Sequence, residues 1–170
     1  MKYIKNEKGS INIWFVVIVF VFLGMAVLAI DFGSLYMNNK DVKEGLNRAV
    51  KAAALAIQED EQLAEGIFTI DPVRAEVNFK QILSKNIGLN EITLEPLSTG
   101  SLITEKPEIK EFIVQNITPA TYYSPALKNT FTFEHPTVLA VIRVKVKGVF
   151  SSKTFILYKL SSSQLTSIYE

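Results

Sequence analysis

The 170-residue chain contains no cysteine, which excludes disulfide staples, thiolate nucleophiles and any cysteine-built metal site. It has one histidine, His135, set before Pro136 just ahead of a strand-like stretch. An exposed loop residue suits that place better than a catalytic base or metal ligand, and no second histidine could complete a site. Ser161, Ser162 and Ser163 lack the flanking glycines of a nucleophile elbow. Glu59, Asp60 and Glu61 are adjacent along the chain, so their carboxylates point apart and read as a solvated helix end. No enzyme, metal or cofactor is expected. An excess of charge of one sign is missing too: 18 Lys and Arg against 17 Asp and Glu leave a formal net charge of +1, scattered along the chain. That pattern carries no nucleic-acid footprint.

What the chain does have is an uninterrupted apolar run. Residues 11–30 include Asn12 as their only polar member. At about 1.5 Å rise per residue, roughly 20 helical residues cross the roughly 30 Å hydrocarbon layer of a bilayer. A cleavable signal peptide has a core of only about 7 to 15 residues and a small-x-small exit, whereas this run flows into Asp31-Phe32-Gly33-Ser34-Leu35-Tyr36. A buried core helix is disfavoured because nothing else in the chain could wrap a helix apolar on every side. Lys2, Lys5 and Lys8 precede the run with only Glu7 opposing them, and Asp31 follows it. By the positive-inside tendency residues 1–10 form a basic cytoplasmic leader, residues 11–30 a transmembrane helix, and the rest lies outside. Membrane lipid is therefore an expected partner.

Beyond the run the helical period continues with a different character. Leu35, Val42, Leu46, Ala49, Ala53 and Ala56 form one apolar stripe among polar residues, so residues 31–58 read as an amphipathic continuation of the same helix. Asp71-Pro72 supplies a capping carboxylate and a first-turn proline for a second helix. Val73, Val77, Phe79, Ile82 and Leu83 mark its apolar positions, and Asn86-Ile87-Gly88 its stop. Strands are expected at 92–94, at 111–115, at 138–146 and at 154–158. In the third, Ala140, Ile142, Val144 and Val146 share one face, while the other carries Leu139, Val141, Arg143, Lys145 and Lys147 and becomes wetter toward its end. The last two strands should pair antiparallel across a turn near Gly148. About 140 residues follow the apolar run, enough for one domain. The expected fold is α+β: a long N-terminal helix packed on a small antiparallel sheet, with residues 59–170 as the exported α+β domain.

Three segments carry a resemblance: Lys8-Gly9-Ser10, Asp31 to Tyr36 (DFGSLY) and Asn47 to Ile57 (NRAVKAAALAI). Over residues 8–57 the chain resembles the TadE/TadG-like pilus-assembly family, which is pilin-like and belongs to tight-adherence systems. Trp14 stands where that family usually has glutamate, and Lys51 where it has an acidic residue. The resemblance implies a structural or assembly component of a bacterial surface pilus. Its implied partners are other pilus-system membrane subunits or copies of itself, together with a prepilin peptidase cutting between Gly9 and Ser10. Lys8-Gly9 also reads simply as the cytoplasmic flank of an anchor. A membrane-anchored extracytoplasmic binding module that does not polymerise is the alternative.

Ala29 and Gly33 form a small-x-x-x-small pair at the membrane edge, where helices can approach closely; Gly45, Ala49 and Ala53 repeat the pattern higher up. Asp31, at the water boundary, reads either as a solvated carboxylate or as a partner-pairing one. Ala29, Asp31, Gly33 and Tyr36 are accordingly the candidate subunit-contact residues.

Overall fold

The computed structural model describes residues 8–57, 69–97, 101–150 and 154–165. Lys2 and Lys5 and the 59–61 acidic run lie outside them. The first element, α1, spans Lys8–Ala54, 47 residues or about 70 Å of unbroken helix. Its mean hydropathy reaches 3.0 over an 18-residue window, none of it buried, so the helix is long and apolar enough to cross a membrane. Its second half is amphipathic, as the stripe requires. Val42, Leu46, Ala49, Val50 and Ala53 are fully buried, and Leu35 is half-buried at the lower edge. The helix stops at Ala54, four residues before the expected end, because the chain turns there: Ala56 N–H donates to Ala53, and Ile57 pairs with Ile70.

The second helix, α2, spans Pro72–Ile87 with the anticipated caps. Asp71 Oδ1 accepts from the amides of Val73 and Arg74 at 2.8 and 3.1 Å. Gly88 closes the helix at φ 75°, a left-handed conformation that glycine adopts without strain. Ala75, Phe79, Leu83 and Ile87 face the core. Of the expected apolar positions Phe79 and Leu83 are buried and Ile82 is half-buried against the core, but Val73 and Val77 point to solvent; Ala75 and Ile87 complete the buried stripe instead.

Five strands follow: β1 Glu108–Gln115, β2 Ala120–Ser124, β3 Asn129–Phe133, β4 Thr137–Lys147 and β5 Thr154–Gln164. β1, β4 and β5 form an antiparallel sheet with β4 central, and β2 and β3 form a separate hairpin. The alternation in β4 has the anticipated consequence. Ala140, Ile142, Val144 and Val146 belong to the core shared with the helices, whereas Leu139 and Val141 pack with Phe133 under the hairpin. α2 meets β1 through Phe79 and Phe112, ring centroids 4.9 Å apart. Residues 92–94 are a turn rather than a strand, because the Asn90 side chain captures the amides of Ile92 and Thr93 at 2.9 and 3.0 Å and Leu94 takes φ 58°. β5 runs six residues past the expected end, paired with β4 as far as Gln164.

Candidate functional site

Three contacts fasten β5 and its preceding turn alongside α1. The Phe150 amide donates to Asp31 Oδ1 at 2.7 Å, Lys43 Nζ donates to the Leu160 carbonyl, and Ser161 Oγ donates to Asn47 Oδ1 at 2.8 Å. The spacing is self-consistent. From Asp31 to Asn47 a helix rises about 24 Å, and Thr154, which pairs with Lys147 next to the Gly148 that abuts Asp31, starts a strand that covers about 23 Å to Ser161, so the two elements climb together. β4 therefore descends toward the apolar half of α1, and the β4–β5 turn lies at the level of Asp31.

Asp31 is only 8% exposed, so the carboxylate is not solvated. Gly148 makes its seat: a Cβ on that residue would stand 2.7 to 2.9 Å from the carboxylate atoms. The sequence holds no signal for this contact, because 119 residues separate Asp31 from Phe150. Gly148 itself was legible only as turn punctuation.

The four candidate contact residues do not share a face. At about 100° per residue, Ala29, Gly33 and Tyr36 fall within about 60° of one another, while Asp31 lies on the far side of the helix. Asp31 thus turns inward to its own domain. Ala29 and Gly33 are exposed, Tyr36 is 70% exposed, and nothing lies within 4 Å of the place a Gly33 Cβ would occupy. Phe32 and Met37 flank this face and are exposed as well. Gly45 differs: a Cβ there would come within 2.7 Å of Ile87 Cγ2, so this second small-residue set admits α2 and is used up inside the domain. Gly9 and Ser10 are in the first turn of α1.

The seam between α1 and β5 is basic. Burial lowers the Lys43 pKa below its ordinary value, and the charge of Lys159 lowers it further; burial alone lowers Lys159. On the far side of the sheet, burial raises the Tyr122 phenol, helped by the negative charge of Glu111, whose Oε1 accepts the Ala126 amide at 2.8 Å. This contact ties the β2–β3 hairpin to β1. Ser161 is bonded to Asn47, and the His135 carbonyl accepts the Thr137 hydroxyl at 2.6 Å. Among the described residues no three His, Cys, Asp or Glu side chains group as a metal ligand set.

Comparison with protein-family models finds no matching family, and comparisons with curated proteins and with solved structures find no similar chain.

Proposed function

We propose that the protein is a membrane-anchored structural or assembly subunit of a bacterial surface pilus, pilin-like in layout, with its folded domain outside the cell. In this role α1 holds the subunit in the lipid through its apolar half. The Ala29–Gly33–Tyr36 face receives a helix of another pilus-system subunit or of a second copy. The single observation that carries the reading is the division of labour along α1. One continuous helix is wholly unburied over its apolar half and built into the core over its second. At the junction its small-residue face is left open while Asp31, opposite, is engaged by its own domain. In lipid, helices associate through close backbone approach, and a glycine with open space around it offers that.

The test is the distribution of Gly33→Leu between sheared surface fibres and the membrane fraction. The wild-type chain is expected in the sheared fibres. The variant should stay in the membrane with its domain folded, because a Cβ at this exposed helix position meets nothing within 4 Å and the site lies outside the domain core. Equal recovery of both in fibres would remove the interface. Absence of the wild-type chain from fibres would instead favour an anchored binding module that never polymerises.

A further inference from the structure

The turn joining β4 to β5 carries Val149 and Phe150, 61% and 60% exposed. An apolar pair in a turn that leaves most of its surface uncovered adds little to its own domain's core, and its position here is not free. The Phe150 amide is bonded to Asp31, and Gly148 sits against the same carboxylate. Asp31 is the first residue after the apolar run. The tip is thereby held at the height where that run ends.

Around this height stand further exposed apolar side chains: Phe32 and Tyr36 on α1, and Phe155 and Ile156 at the start of β5. Phe32 and Tyr36 rise about 1.5 and 7.5 Å above Asp31 along the helix, and Phe155 and Ile156 follow the turn by one and two strand residues beyond Thr154, about 3 and 7 Å. A bilayer of 40–45 Å total and roughly 30 Å hydrocarbon thickness leaves about 5 to 8 Å of headgroup region per side. The collar fits that layer. Aromatic side chains favour it, since they combine apolar faces with tolerance of partial hydration. Lys147, exposed at the foot of β4, adds a cation at headgroup level.

We infer that the β4–β5 hairpin tip is a second, interfacial membrane contact, in which Val149 and Phe150 enter the outer edge of the bilayer beside α1. This rests on the reading of α1 as a membrane anchor. The occupant of the apolar tip is lipid, because a subunit whose helix is embedded up to Ile30 and whose turn is bonded to Asp31 brings Phe150 to the bilayer surface without further movement. Asp31 then serves to dock the tip, its carboxylate accepting the amide hydrogen bond that holds the turn in place. The lipid-seated tip occupies the side of α1 opposite the Ala29–Gly33–Tyr36 face, which it leaves free.

The native chain has one tryptophan, Trp14, which makes a fluorescence test direct. The full chain is placed in phosphatidylcholine–phosphatidylglycerol nanodiscs, with and without bromine on the upper acyl chain. Native Trp14 reports the anchor. In a Trp14→Phe background, Phe150→Trp and Val149→Trp report the tip, and Ile117→Trp, at a site 82% exposed in the β1–β2 loop, is the distant control. Blue-shifted emission and quenching by brominated lipid are expected for both tip reporters, and neither for the Ile117→Trp reporter. Quenching of Trp14 with unquenched, water-like tip reporters would overturn the inference while leaving the anchor standing. Blue-shifted but unquenched tip reporters would overturn it in favour of a protein contact. Unquenched Trp14 would remove the anchor and the inference together.

Discussion

Gly33 and Gly45 occupy the same helix twelve residues apart in opposite surroundings. At Gly33 an added methyl meets nothing within 4 Å; at Gly45 it meets Ile87 Cγ2 at 2.7 Å and Asn86 Cβ at 3.3 Å. Helix propensity alone favours alanine over glycine at either place by about 1 kcal/mol. At Gly45 the clash decides. Ile87 is β-branched with a restricted χ1, so its methyl cannot swing aside, and overpacking costs about 1–3 kcal/mol. Gly45→Ala is therefore expected to lower the stability of the folded domain by about 1 kcal/mol net, while Gly33→Ala leaves it undiminished. Thermal unfolding of the full chain in detergent micelles, followed by near-ultraviolet circular dichroism, compares the two. A Gly45→Ala chain as stable as the wild type would mean that α2 does not need the glycine to approach α1.

Between elements, the seam of α1 with β5 brings Lys43 and Lys159 together and so works against itself electrostatically. Because the folded-state pKa of Lys43 is lowered, the unfolded chain binds more protons between that lowered value and the ordinary 10.5. Stability contributed by this group therefore rises with pH across that window. Removing the neighbouring charge should relieve part of the cost at neutral pH. Lys159→Gln is expected to stabilise the domain by about 0.5 kcal/mol at low salt, a figure kept small because both side chains are largely wet. The gain should fade near 1 M salt, where screening reaches about 3 Å. Chemical denaturation with urea at two salt concentrations measures it, and a loss of stability at low salt would show that Lys159 serves the seam through another contact. Such a seam was not legible in the sequence, since Lys43 and Leu160 lie 117 residues apart. What was legible were features that each element states locally: the unbroken period of α1, the Asp71-Pro72 and Gly88 caps of α2, and the alternation of β4. The β2–β3 hairpin escaped notice, although its Thr-Tyr-Tyr and Thr-Phe-Thr-Phe stretches have strand-forming composition. Its strands are five residues each, and they are held by covering Leu139 and Val141 rather than by a long pattern of their own.

For the whole molecule, contacts within the fold fix how close the domain stands to the end of the apolar run, whereas the proposed side of the membrane rests on charge alone. Asp31, Lys43 and Asn47 pin β5 and its turn along α1, so the domain stands directly on the end of the apolar run. The sequence showed where that run ends but not that the domain would reach back to it, because the hairpin's descent depends on sheet register. The proposed side of the membrane rests instead on the leader, where Lys2, Lys5 and Lys8 are opposed by Glu7 alone. The proposed orientation, with the N-terminus inside and the sheet outside, rests on retention of that positive charge on the cytoplasmic side. A chain without cysteine lends itself to a direct check by single substitutions. Ile117→Cys, in the exposed loop between β1 and β2, should react with a membrane-impermeant thiol reagent on intact cells. Lys5→Cys should react only after the membrane is opened. Labelling of Lys5→Cys on intact cells, with none at Ile117→Cys, would invert the orientation; the folded domain would then lie in the cytoplasm, where it could take no part in a surface fibre.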